Sequence, residues 1–177
     1  MIVNLFGGPG AGKSTCAAYI FSQLKFKNVL CELVTEFAKD LTWDKTEAIN
    51  DQLYVLGNQY HQIKRVYDKV DFVILDSPII LSILYNRRNK SFSTHHFEDF
   101  ILYLHNSFIS ANYFIERKKP YWQIGRNESE NDAKNIDDEI KNLLTSNNIR
   151  YRIISGNESG CQDIINELIG ESYDILQ

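Results

Sequence analysis

The chain has 177 residues, 44% of them apolar, with a formal net charge of −4. That length fits one domain, 1–177, and the acidic balance argues against an extended basic surface gripping duplex DNA. No apolar run approaches the roughly 18 residues needed to span a bilayer, and no charged region precedes the first apolar stretch, so neither a membrane span nor a signal peptide is expected. Cys16, Cys31 and Cys161 are odd in number, far apart and in no metal-ligand spacing. They read as small buried thiols of a reducing cytoplasm, which is the expected location.

Residues 2–6 are a short apolar run, read as a strand, that ends in Gly7-Gly8-Pro9-Gly10-Ala11-Gly12-Lys13-Ser14. This is the pattern G-x-x-x-x-G-K-[ST], placed where its mechanism requires, after a strand and before a helix. Glycines let successive backbone N–H groups turn inward without a Cβ in the way, and the helix N-terminus adds positive potential. Gly8, Pro9, Gly10, Ala11, Gly12, Lys13, Ser14 and Thr15 are therefore expected to cradle the phosphates of ATP. Lys13 supplies a point charge to the β- and γ-phosphates, and the Ser14 hydroxyl is a ligand for Mg²⁺.

A second strand, 29–34, carries an unusual Glu32, read as pointing into a site or pairing with a cation. It ends in Thr35-Glu36-Phe37-Ala38-Lys39. Glu36 emerges at the sheet edge of the phosphate loop, where a general base would reach an acceptor hydroxyl; capping the next helix is the plainer role. Leu53, Leu56, Tyr60, Ile63, Tyr67 and Val70 then form one apolar helical stripe. Asn58, Gln59 and Gln62 interrupt it, and Gln59 suits either base recognition or a solvated helix face.

The third strand, 72–75, closes on Asp76-Ser77-Pro78. A carboxylate at the end of a buried strand is costly unless a cation or donors lie near it. Asp76 is expected to help hold Mg²⁺, or to cap the following helix. Asp71, at the strand's start, reads as a solvated turn residue. Arg87 and Arg88 are weaker candidates for an acceptor phosphate, and His95 and His96 lack partners at ligand spacing. After the fourth strand, 113–115, a segment of about 117–128 carries Arg117 and Arg126 on either side of Pro120 and Gly125. It reads as a basic lid whose arginines close over the transferring group, or as a solvated charge run. Ala133 to Leu144 is a helical stripe, 151–154 a fifth strand, and Cys161 to Leu168 a last helix. Strands alternating with helices mean a three-layer α/β/α fold around a five-stranded parallel sheet, with ligands at the strand C-terminal ends.

The order of the phosphate loop, Glu36-Phe37-Ala38-Lys39, Asp76-Ser77-Pro78 and Arg117…Arg126 resembles the P-loop nucleoside and nucleotide kinase group. Within it the chain is most similar to the ribosylnicotinamide-kinase-like branch and to phage-encoded P-loop kinases, including those acting on hydroxymethyluracil in DNA. The resemblance implies a P-loop NTPase fold, ATP and Mg²⁺ as cofactors, and γ-phosphoryl transfer to a nucleoside, nucleotide or related small-molecule acceptor. It implies catalytic roles for Lys13, Glu36, Asp76, Arg117 and Arg126, and a host cytoplasm if the gene is a phage's. DNA, through a modified base or an end, is the alternative acceptor. A nucleotide-switch ATPase with a protein partner is the alternative of another class.

Overall fold

The computed structural model describes residues 1–90, 92, 95–118, 120–122, 124 and 128–175, with side chains as far as residue 170. Five strands, β1 (Ile2–Phe6), β2 (Cys31–Val34), β3 (Phe72–Leu75), β4 (Ser110–Glu116) and β5 (Arg152–Ser155), form one sheet in the order β2-β3-β1-β4-β5. Every pairing is parallel. Parallel strands need crossovers, and the described residues supply seven α-helices for them. These are α1 (Lys13–Phe26), α2 (Phe37–Trp43), α3 (Gln52–Val66), α4 (Leu81–Asn89), α5 (His95–Asn106), α6 (Glu130–Ser146) and α7 (Glu158–Ile175). None is long and apolar enough to cross a membrane, among the residues described.

The period of two along each strand decides which helices cover which face. From β1, Ile2 and Phe6 join Val73, Leu75 and Phe114 against α3, α4, α5 and α6. Val3 and Leu5 join Ile74, Tyr113 and Ile115 against Ile20 and Leu24 of α1 and Ile164 and Leu168 of α7. The result is the expected α/β/α sandwich, with all five residues of β1 buried at its centre.

Several boundaries differ from expectation, each for a local reason. β2 starts at Cys31 because Asn28 takes a left-handed turn at φ 60° and Val29 N–H closes back on Leu24 O. β4 extends back to Ser110, since the polar Ser110, Ala111 and Asn112 pair with Ile2, Val3 and Asn4. The apolar run at 151–154 suggests a strand buried on both faces, as in the interior of a parallel sheet, but β5 is an edge and Ile153 is 59% exposed. In the helical stripe Leu53 is exposed, while Gln52 and Gln59 are buried beside Leu56 and Ile63.

The cysteines also depart from the sequence reading. Cys16 of α1 and Cys161 of α7 form a disulfide, their Cα atoms 5.7 Å apart, and Cys31 is a buried free thiol. The two bridged positions face each other in the same apolar layer, 145 residues apart in sequence, a juxtaposition no spacing rule reveals. Titration of the unfolded, unreduced protein should find one reactive thiol, rising to three after reduction. Finding three before reduction would exclude the bridge. Cys161→Ser should lower the unfolding free energy by about 2–4 kcal/mol, by restoring freedom to the unfolded chain.

Candidate active site

The phosphate loop leaves the C-terminal end of β1, and three of its glycines take positive φ: Gly7 at 144°, Gly10 at 76° and Gly12 at 106°. Gly12 is also the N-cap of α1, so the left-handed turn feeds directly into the helix that begins at Lys13. Ser14 and Thr15 are exposed in its first turn. Lys13 Nζ lies 3.2 Å from Gly8 O, folded over the loop it serves.

The outer wall of the loop is built by residues far away in sequence. Arg117 Nη1 donates to Pro9 O at 2.8 Å, and its Nη2 donates to Asp137 Oδ2 at 3.0 Å. The other oxygen of Asp137 accepts from Gly8 N–H at 2.5 Å. The guanidinium also sits 5.8 Å from the ring of Tyr121, whose hydroxyl donates to Glu128 O. This packing explains two glycines. A Cβ on Gly8 would lie 2.5 Å from Ala133 O, and one on Gly10 would lie 2.9 Å from the Tyr121 ring. From the other side Gly156, in the turn after β5, approaches so closely that a Cβ would stand 2.8 Å from Ala11 O.

A cavity of about 620 Å³ opens from the loop across the sheet edge. Pro9, Gly10, Gly12, Lys13, Ser14 and Thr15 line one end. The other end is formed by α2, α3 and α4, with Trp43, Ile49, Val55 and Tyr85 among its walls, and Pro120, Trp122 and Ile124 cover it. Glu36 is also part of the lining. It occupies the N-cap position of α2, yet its side chain makes no capping bond, so the carboxyl is left to the cavity. Burial pushes its pKa up; Lys13 and Lys39 partly offset this, and Asp76 and Glu128 add to it. A carboxyl so placed holds its proton more tightly than an exposed one.

Asp76 is buried at the end of β3, 3% exposed, and its Oδ1 has no hydrogen-bond partner. The capping alternative is not realised, because α4 starts only at Leu81. A buried carboxylate oxygen without a donor fits a cation or its water shell. The Ser14 hydroxyl, exposed in the first turn of α1, is a further hard oxygen of the kind Mg²⁺ prefers.

Of the other expected residues, Gln59 is engaged rather than free. It accepts from Phe37 N–H at 3.0 Å and donates to Thr35 O at 3.2 Å, thereby fixing the chain on both sides of Glu36. Glu32 pairs with Lys25 at 3.4 Å on the surface, and exposed Asp71 matches the turn reading. Arg87 and Arg88 make forked pairs with Glu98 and Glu139, at 2.6 Å each. His95 is exposed beside Asp99, and no cluster suited to a metal appears among the described residues. Arg117 does not line the cavity; its side chain, 12% exposed, is committed to the loop's outer wall. Arg126 lies outside the described residues.

Sequence reading missed Asp137, Tyr85 and Trp43. Asp137 gave no signal, being one acid among several on α6. Trp43, one of two tryptophans in the chain and one turn beyond Lys39, was findable. Residues 2–159 match the family described as an AAA domain, and no curated protein matches the chain.

The Arg117–Asp137 pair generates a test that separates support from catalysis. Removing one member leaves the other charge largely buried and unpaired, which costs about 3–5 kcal/mol. Arg117→Ala and Asp137→Ala should therefore each lower stability by roughly that amount in urea melts. The double variant should cost less than the sum of the two. An Arg117→Ala protein of unchanged stability would make Arg117 a free functional arginine instead.

Proposed function

The chain belongs to the AAA domain family, whose members are P-loop nucleotide-binding proteins, and we propose that it is a Mg-ATP-dependent phosphotransferase. One observation carries this reading beyond nucleotide binding. The cavity extends beyond the phosphate loop to residues of α2, α3 and α4, and a carboxylate, Glu36, lines it with them. A cavity of that extent suits an acceptor held beside the phosphates of the nucleotide.

In this mechanism the loop amides and Lys13 hold the β- and γ-phosphates in line with the acceptor, and Ser14 and Asp76 hold the metal. Bound Mg²⁺ neutralises charge on the phosphate oxygens. Glu36 takes the proton of an acceptor hydroxyl as the new O–P bond forms and the bond to the β-phosphate oxygen breaks, releasing ADP. The compact acceptor is a nucleoside, nucleotide or related compound; ribosylnicotinamide and hydroxymethyluracil-containing DNA belong in the same panel. ADP release with ATP and Mg²⁺, scored against each acceptor, tests the assignment. The family match supports a second reading, an ATPase module serving a protein partner. ADP release independent of every acceptor would favour it.

Asp76→Asn keeps the shape and removes the charge. Its expected signature is a kcat lower by about 10²-fold with a small change in ATP affinity, since removing preorganised charge at the transferring group has that order of effect. Unchanged kcat and unchanged Mg²⁺ dependence would remove Asp76 from the site.

Glu36 must be ionised to accept a proton, and its pKa is raised. Activity should therefore rise with pH through a step above the ordinary carboxylate range, and saturate beyond it. In Glu36→Gln the step should vanish together with most of kcat. A variant that keeps the same step would assign the titration to another group.

A further inference from the structure

We infer that Gln52 selects the acceptor: its amide pairs with a base or carboxamide that carries an N–H donor next to a carbonyl or ring-nitrogen acceptor. The inference rests on the phosphotransferase reading for its purpose, and on the local geometry of α3 and α4 for its content.

The placement of Gln52 starts with its neighbours in sequence. A short 3-10 turn, Glu47–Asn50, runs into Asp51, whose carboxylate accepts from the N–H groups of Leu53 and Tyr54 at 3.1 Å each. That cap fixes the first residue of α3, which is Gln52. Its side chain lines the cavity although the residue is only 4% exposed. Nε2 donates to Ile49 O at 3.2 Å. A carbonyl only accepts, so this bond decides which way round the amide lies. One N–H is spent on the turn, a second is left over, and Oε1 is turned to the other side.

No described residue donates to Oε1. Nor is it among the unpartnered side-chain atoms sealed inside the protein, so it opens on the cavity. A buried amide with an unused oxygen and an unused N–H is costly unless something pairs with them.

The facing helix supplies hydroxyls. Ser82 and Tyr85, one turn apart on the same face of α4, line the same cavity. Burial and the nearby Glu36 push the Tyr85 pKa well up, so its hydroxyl stays neutral and able to donate. Of these groups the amide discriminates most. A hydroxyl rotates to suit a donor or an acceptor, whereas an amide of fixed orientation requires an acceptor opposite its N–H and a donor opposite its oxygen. The edges of nucleobases carry such pairs, and so does a primary carboxamide.

Calorimetry with the protein held in Mg²⁺ and ADP measures acceptor binding without turnover. Adenosine, cytidine, guanosine, uridine and nicotinamide riboside are titrated first. Each is then replaced by an analogue methylated on a donor nitrogen: N6,N6-dimethyladenosine, N4,N4-dimethylcytidine, 1-methylguanosine, 3-methyluridine and the N,N-dimethylcarboxamide. At least one parent should bind about tenfold or more tighter than its analogue, the order of one bidentate pair. Which parent binds tells a base from a carboxamide. This comparison uses the unaltered protein, so it holds whether or not a variant folds. Gln52→Met keeps the length of the side chain, and should bring that ratio close to one while leaving ADP affinity unchanged. Parent and analogue binding equally, no compound binding at all, or a ratio that survives in folded Gln52→Met would each overturn the inference. A tenfold loss of ADP affinity in the variant would do so too, by assigning the amide to the base of the nucleotide. Failure of the two readings is distinguishable. A parent that binds as described but is never phosphorylated sinks the kinase assignment alone. Parent and analogue phosphorylated with equal KM sink this inference alone.

Discussion

A phosphate loop can present its amides inward only if its outer surface is pinned by something else. Here that pin is a mostly buried ion pair: Asp137 holds Gly8 N–H with one oxygen and Arg117 with the other, and Arg117 holds Pro9 O. Gly8 and Gly10 are glycines partly because α6 and the Tyr121 ring press against them. The capping box of Ser129 and Asp132 starts α6 at a fixed point, and Asp137 sits two turns further along. The geometry of the loop at one end of the sheet thus depends on where a helix more than a hundred residues later begins.

The gross fold was readable because apolar periodicity is a local property. Strands 2–6 and 72–75 coincide with the observed bounds, and the loop signature carried its own strand–turn–helix context. What stayed hidden depends on which elements meet. The exposure of β5 follows from its place at the sheet edge, not from its residue types. Gln59 looked like an amide free for a ligand, yet its partners are the main-chain groups of Thr35 and Phe37. Arg117 looked like half of a lid, and its bond to Asp137 spans twenty residues of sequence.

Charge around the cavity is sorted in a way the sequence does not display. The 19 basic and 23 acidic residues tell little one by one, but pairing them does. Arginines near the site are consumed by partners on α5 and α6, while carboxylates at the strand ends are left without forks. Among the described residues, the loop end carries Lys13 and the rest of the lining carries Lys39 against Glu36 and Glu128. Such a distribution acts on an approaching acceptor before any specific contact is made.

The place of β1 in the sheet has a consequence for how the chain comes to be folded. Its register partners are Val73 to Leu75 on one side and Ser110 to Phe114 on the other. The innermost strand is thus emitted long before either flank exists, and its apolar residues wait through two-thirds of synthesis. Contacts so distant along the chain close slowly, since loop entropy must be overcome before any pairing is gained. Until β4 is made, β1 keeps one open edge beside a mostly apolar strand, a form prone to associate with other chains. The second side of β1 is closed only when β4 arrives, so the β1–β4 seam is where association with other chains competes with folding.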